Sequence, residues 1–250
     1  MSLRLERDGP IGRILIDRPE KRNAFNQDMW EQFPVLLRAA LIDRAIRVVV
    51  VQSAAQGVFC AGADISELMA HKDNAAWREA NQAAINRTQH ELARFAKPTI
   101  AFIDGDCVGG GCGIALACDI RVATAASRIG ITPAKLGLVY PLHDTKLLVD
   151  LVGPGQAKRM LYTGELLSAQ DALQIGLIEL IEDSAAPLAH QIVGNSAHST
   201  HEIKGFVRRI LDGQSDDDLE TKCIFADAFT KPDFIEGTSA FVRKRKPEFK

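Results

Sequence analysis

Nowhere in its 250 residues does the chain carry an uncharged apolar run long enough to span a bilayer, which takes ~18–20 residues. The stretch from Met1 to Arg7 has no apolar core of the signal-peptide kind, so the expectation is a cytoplasmic protein without membrane partners. Cysteine is sparse and unpaired. The five thiols (Cys60, Cys107, Cys112, Cys118 and Cys223) are odd in number and form no CxxC pair. That excludes a disulfide framework and predicts buried, reduced thiols. A zinc site at Cys112 and Cys118 lacks both the ligand spacing and histidine partners, so no metal is expected. Charge of one sign is also missing: the formal net charge is −2. Nothing draws the chain as a whole to nucleic acid or anionic lipid, and basic and aromatic residues are not interleaved as in nucleic-acid binders. Any anion site must be built locally.

The patterning present is that of an α/β protein. Leu3 to Glu6 and Arg13 to Ile16 predict short strands about the turn Asp8-Gly9-Pro10. Apolar residues at three- and four-residue spacing predict a helix from Gln27 to Asp43, with a kink or early break at Pro34. Arg47 to Gln52, with four consecutive valines, predicts a strand buried on both faces. A turn at 56–62 leads into an acidic helix start at Asp64. A long helix is expected from Trp77 to Phe95, and a second buried strand from Thr99 to Ile103. Helix signals resume at Ile114, and Ile120 to Ala123 predicts another strand. From Pro133 onward the pattern is mostly helical, with one short strand near 177–181. Strands and helices alternate first and helices come last, which predicts a layered α/β core over residues 1–190 and a helical region over 191–250 of the same unit.

Two places carry chemistry. In each, a buried strand runs into a turn of small residues that opens a helix: Phe59-Cys60-Ala61-Gly62-Ala63-Asp64 after the valines, and Gly109-Gly110-Gly111-Cys112-Gly113 after Thr99–Ile103. Small residues let a ligand approach the backbone, and helix N-termini leave N–H groups unpaired. Two such turns converging would aim two donors at one oxygen, an oxyanion hole. Either turn alone is explained as well by close packing of helix on sheet.

Taken together, these strings, with Asp17-Arg18-Pro19-Glu20-Lys21-Arg22-Asn23-Ala24, Ala117-Cys118-Asp119-Ile120-Arg121 and Ser239-Ala240-Phe241-Val242-Arg243-Lys244-Arg245-Lys246, resemble the crotonase superfamily, also called the enoyl-CoA hydratase/isomerase family. The resemblance spans nearly the whole chain. It implies an α/β fold that winds as a spiral of ββα turns, with a helical C-terminal trimerisation region that makes homotrimers or hexamers. It implies an acyl-CoA thioester as ligand, coenzyme A being part of the substrate and no other cofactor being needed. The N–H groups of Ala63 and Gly110 would hold the thioester oxygen. Arg22, Ala24 and Ala61, with Asp64 and Ile65 in the same segment, match the coenzyme-binding strings. Phe241 and Lys244 match positions that reach the coenzyme of a neighbouring subunit.

The chain departs from the family at the two glutamates that hold and activate water in its hydratases. Their positions are Gly113 and Pro133 here, and neither can carry a proton. The segment Ile131–Tyr140 is similar to that of the family's methylmalonyl-CoA decarboxylases, in which residues matching Thr132 and Tyr140 line the acyl pocket, although those enzymes have histidine in place of Ala63. Decarboxylation needs a stabilised enolate and no base, so the first expectation is a lyase acting through a thioester enolate, with Tyr140 as hydrogen-bond or proton donor. The alternative is an enoyl-CoA hydratase or isomerase that draws on other groups. A histidine can shuttle protons at cellular pH, which makes His143 the next candidate, with Asp144 beside it. The plainer readings are a structural Tyr140, a solvent-facing His143 with Asp144 capping a helix, an exposed Lys135, and structural Asp106 and Cys107. A third possibility is a non-catalytic coenzyme A- or RNA-binding protein on the same scaffold.

Overall fold

The unbroken valine run sets the architecture, because a strand apolar at every position must be covered on both faces. The computed structural model describes residues 2–249. Strands β1 (Leu3–Asp8) and β2 (Ile11–Ile16) pair antiparallel, and α1 (Gln27–Ile42) follows. Then β3 (Val48–Ser53), β4 (Val58–Cys60), α2 (Ile65–Ala70) and α3 (Ala75–Ala93) make one ββα turn. β5 (Thr99–Ile103), β6 (Asp106–Val108) and α4 (Gly110–Ala117) make the next, and β7 (Ile120–Ala123), β8 (Arg128–Gly130) and α5 (Leu142–Thr163) the third. β9 (Leu166–Ser168), α6 (Ala169–Gln174) and β10 (Leu180–Ile181) complete the sheets. Each turn lays its first strand in a six-stranded sheet, ordered β1-β2-β3-β5-β7-β10, and its second in a four-stranded sheet, ordered β4-β6-β8-β9. This is the expected spiral of ββα turns.

The valines divide by parity. Val49 and Val51 join the main core with Phe25, Trp30 and Phe33, whereas Val48 and Val50 face Ala185 and Ala189. The second face is covered by α7 (Ala186–Val193), which crosses residue 190, and three further helices follow Gly194. They are α8 (Ala197–Leu211), α9 (Leu219–Ala228) and α10 (Pro232–Val242). Among the described residues no helix is long and apolar enough to cross a membrane.

Four expectations are corrected. Pro34 does not break α1, which runs through it. A proline deprives the carbonyl four residues earlier of its donor, and here the Thr88 hydroxyl of α3 donates to Trp30 O at 2.6 Å in its place. Of the small-sheet strands, each of three residues, β4 and β6 lie in the stretches read as small-residue turns, β8 where no element was read and β9 in the stretch read as mostly helical. α4 starts at Gly110, not near Ile114, because Gly111 packs flush on Cys60: a Cβ there would sit 2.6 Å from both the Cys60 Cβ and its carbonyl oxygen. Of the five thiols four are buried, but Cys223 on α9 is exposed.

Candidate active site

β4 and β6 are parallel neighbours, and the two small-residue turns leave their ends side by side. Gly62 lies at φ +102, where an added Cβ would stand 3.0 Å from Val108 O and 3.3 Å from Gly110 N. Only glycine combines that conformation with so close an approach. Across the gap, the position of a Gly110 Cβ is 3.5 Å from Ala63 N. Ala63 and Gly110 are both half-buried. Neither N–H donates to a backbone acceptor among the described residues. Gly110 is the first residue of α4, so its N–H is one of the donors a helix start leaves free. Two free donors on neighbouring turns stand where an anion-holding pair would need them.

Polar scaffolding fixes the first turn. Phe25 N donates to Gly62 O (2.8 Å), Asp64 N to Phe25 O (2.8 Å) and Ala61 N to Arg22 O (3.0 Å), so residues 22–25 run alongside residues 61–64. Asn23, buried at φ +59, donates from Nδ2 to Ser53 Oγ, Val58 O and Phe59 O. Asp64 caps α2 through Ser66 N and Glu67 N and pairs with Arg18 Nη2 at 2.9 Å. The Ser66 hydroxyl above all, with Arg18 and the helix N–H groups, holds its carboxyl down at about 2. Asp64, expected in the coenzyme-binding set, has its carboxylate fully engaged and is only 6% exposed. Ile65, the first residue of α2, is exposed.

The glutamate-vacant position has other occupants. Around the point where a Gly113 Cβ would lie are Gln89 Nε2 of α3 at 2.2 Å, Asp144 Oδ2 of α5 at 2.8 Å and the Tyr140 hydroxyl at 3.2 Å. Gln89 and Asp144 are 0% and 1% exposed, and Tyr140 8%. The Tyr140 hydroxyl donates to Gly109 O at 3.2 Å, tying this cluster to the second turn. Gln89 Nε2, Gln89 Oε1 and Asp144 Oδ2 have no partner among the described residues. Burial pushes the Asp144 carboxyl up, with His143 drawing it partly back, and pushes the Tyr140 hydroxyl well up. Asp144 therefore does not cap α5 as the plainer reading had it; it points into the core. His143, with its side chain 24% exposed, places Nδ1 3.3 Å from Asp144 Oδ1.

Thr132 Oγ1 lies 3.9 Å from the Gly109 Cβ position, beside the second turn. Pro133 opens the short 3-10 turn Pro133–Leu136. Lys135 is exposed along Gly164. Asp106 accepts from Arg22 Nη2 (2.5 Å) and from Arg128 Nε and Nη2 (both 2.8 Å), and Arg128 most of all holds its carboxyl below the usual range. Arg22 thus sits over Asp106 with its side chain 61% exposed, while Ala24 is buried and Ala61 half-buried. Phe241, 85% exposed at the end of α10, and the exposed Lys244 make no hydrogen bond to residues 22–24 or 61–65. Sequence reasoning missed Gln89 and Trp30, whose ring lies 3.3 Å from the Gly110 Cβ position. The signal that could have found Gln89 was a polar residue on the buried stripe of α3, with Asn81, Ala84, Thr88 and Leu92.

Comparisons with known proteins point to one family. The family described as enoyl-CoA hydratase/isomerase matches residues 6–250. A short-chain-enoyl-CoA hydratase of Clostridium acetobutylicum is 32% identical over 251 residues, covering 98% of this chain and 95% of its own. A 2,3-dehydroadipyl-CoA hydratase of Escherichia coli is 34% identical over 248 residues, covering 95% and 94%. The crystal structure of an enoyl-CoA hydratase/isomerase family protein from Hyphomonas neptunium superposes with a TM-score of 0.95 at 36% identity, covering 100% of this chain and 98% of that one.

Proposed function

The chain belongs to the enoyl-CoA hydratase/isomerase family, and from that premise we propose that it hydrates or isomerises a 2-enoyl-CoA thioester through an enolate. The observation that carries this reading is the pair of free N–H groups on Ala63 and Gly110, converging where β4 and β6 run out. In hydration, water oxygen bonds to C3, the C2=C3 electron pair moves toward C1, and the thioester oxygen takes the negative charge. The enolate then accepts a proton at C2, so one water is added in all. Donors waiting where that charge develops favour the transition state over the substrate, and one such donor is worth on the order of 10²–10³ in rate. The names of the relatives, hydratases of short-chain and dehydroadipyl thioesters, support hydration ahead of the decarboxylation expected from residues 131–140.

Decarboxylation of a carboxylated acyl-CoA stands as the second reading, favoured by the buried Tyr140 hydroxyl beside Gly109. The coenzyme end is assigned to the segment of Arg22, Ala24 and Ala61. Assembly as a trimer or a pair of trimers, with Phe241 and Lys244 reaching a neighbour's coenzyme, is part of the same proposal; their exposure on the C-terminal helices supports it.

The test is mass spectrometry of purified protein with crotonyl-CoA, longer 2-enoyl-CoAs, malonyl-CoA and methylmalonyl-CoA. Gain of water on, or double-bond migration in, an enoyl member is the expected result. Loss of carbon dioxide from a carboxylated member alone would install the second reading. Coenzyme A binding without turnover of any member would refute both.

A further inference from the structure

The family's first glutamate has not simply been lost; its space has been taken. Gln89 reaches it from α3 and Asp144 from α5, and Tyr140 closes it beside the second turn. Gln89 Nε2 stands so close to Gly113 that any side chain on that residue would displace it. The cluster holds one carboxyl, buried, with one oxygen unpartnered. We propose that Asp144 is the acid/base residue of this enzyme, carrying the proton that a glutamate at 113 would carry, with the Gln89 amide set to orient its carboxyl and Tyr140 closing the cluster. The assignment rests on the enolate reading above.

The chemistry balances with this single carboxyl. The Asp144 carboxylate takes a proton from the attacking water as its oxygen bonds to C3. The electron pair of the double bond passes to the thioester oxygen held by Ala63 and Gly110. The carboxylic acid so formed returns its proton to C2 as that electron pair comes back. In isomerisation the same carboxylate removes a proton from C4 and returns one to C2, with no net addition. A group that alternates between acid and base works best when its affinity for protons is raised toward the working pH, and burial moves Asp144 in that direction. Proton exchange with solvent has a route as well. A cleft of about 580 Å³, lined by Arg87, His90, Tyr140, Pro141 and His143 among others, reaches two residues that touch Asp144 or its cluster.

The experiment compares wild type with Asp144→Asn, which keeps shape and removes the proton, and with Gln89→Leu, which keeps bulk and removes the orienting amide. On the most active thioester from the panel, kcat of Asp144→Asn is expected to fall by roughly 10²–10⁴-fold, with KM within about threefold of wild type. Incorporation of solvent deuterium at C2 is expected to fall in parallel. Gln89→Leu is expected to lower kcat by about tenfold at an unchanged melting temperature, and it becomes the deciding variant should Asp144→Asn fail to fold. An active wild type whose two variants both retain kcat and deuterium incorporation would overturn the assignment while leaving the enolate reading in place. A wild type inert toward every thioester would overturn both.

Discussion

Gly111→Ala probes the contact on which the candidate site depends. Its added methyl would lie 2.6 Å from the Cys60 Cβ, 2.6 Å from the Cys60 carbonyl oxygen and 2.9 Å from the sulfur. Carbon atoms pack at about 3.5–4.0 Å, so the start of α4 and the end of β4 must part by roughly 1 Å. Overpacking of this kind costs about 1–3 kcal/mol. The helix gains about 1 kcal/mol from replacing glycine by alanine, which leaves a net loss of up to ~2 kcal/mol. In a domain of this size, at about 2–4 °C per kcal/mol, the upper end of that loss lowers the melting temperature by roughly 4–8 °C. Activity should suffer more than stability, because the parting separates Gly110 from Ala63, and a 1 Å misplacement can cost on the order of 10²-fold. Gly205→Ala is the control: it lies exposed in α8 with nothing within 4 Å of the new methyl. That variant should gain stability by about 0.5–1 kcal/mol and keep full rate. Thermal unfolding by circular dichroism and steady-state hydration assays on both variants decide the matter. A Gly111→Ala protein with wild-type melting temperature and wild-type kcat would refute the view that this contact sets the donor spacing.

Gly113→Glu, which restores the residue type found in the family's hydratases, should lower kcat rather than raise it, since its side chain meets Gln89, Asp144 and Tyr140; a rise in steady-state hydration would contradict the crowding argument. Thr88→Val strips the Trp30 carbonyl of its only side-chain donor and should cost about 1–3 kcal/mol in urea unfolding. In a Pro34→Ala background the helix supplies its own N–H and the same substitution should cost markedly less. Asp64 has its carboxyl depressed to about 2. Its contribution, about 2 kcal/mol, is present above the unfolded value near 3.9 and is lost as pH falls toward 2. Asp64→Asn should therefore be less stable than wild type at pH 6, and the gap should close by pH 2 in chemical-denaturation curves.

Residues differ in how openly they announced their roles. Val48–Val51 did so fully, because a strand buried on both faces is apolar at every position and needs no neighbour to be recognised. The three-residue strands β4, β6, β8 and β9 did not, since pieces that short carry no period. Their existence is imposed by the spiral, which returns the chain to the second sheet after each long strand. The donors at Ala63 and Gly110 were readable only through the resemblance; glycine-rich turns pack helices on sheets in many proteins that hold no oxyanion. Asp144 was seen as a candidate beside His143, with helix capping as its plainer reading, and Gln89 was not seen at all. The two meet across α3 and α5 at a point defined by a missing side chain, and no local pattern records an absence on a third helix.

The pairing of β4 with β6 has one more consequence. Parallel neighbours stand about 4.8 Å apart, and an oxygen held by two N–H···O bonds of about 2.9 Å each bridges a gap of that size. The proposed grip on the substrate oxygen would thus be gauged by the repeat of a β-sheet, as long as Gly111 lets the start of α4 lie flush on Cys60. Electrophilic assistance would thereby be insulated from most substitutions, those at the small residues between β4 and α4 excepted, while the proton carrier can migrate from helix to helix around it. A designer wishing to change the reaction would leave the sheet ends untouched and relocate the acid among α3, α4 and α5.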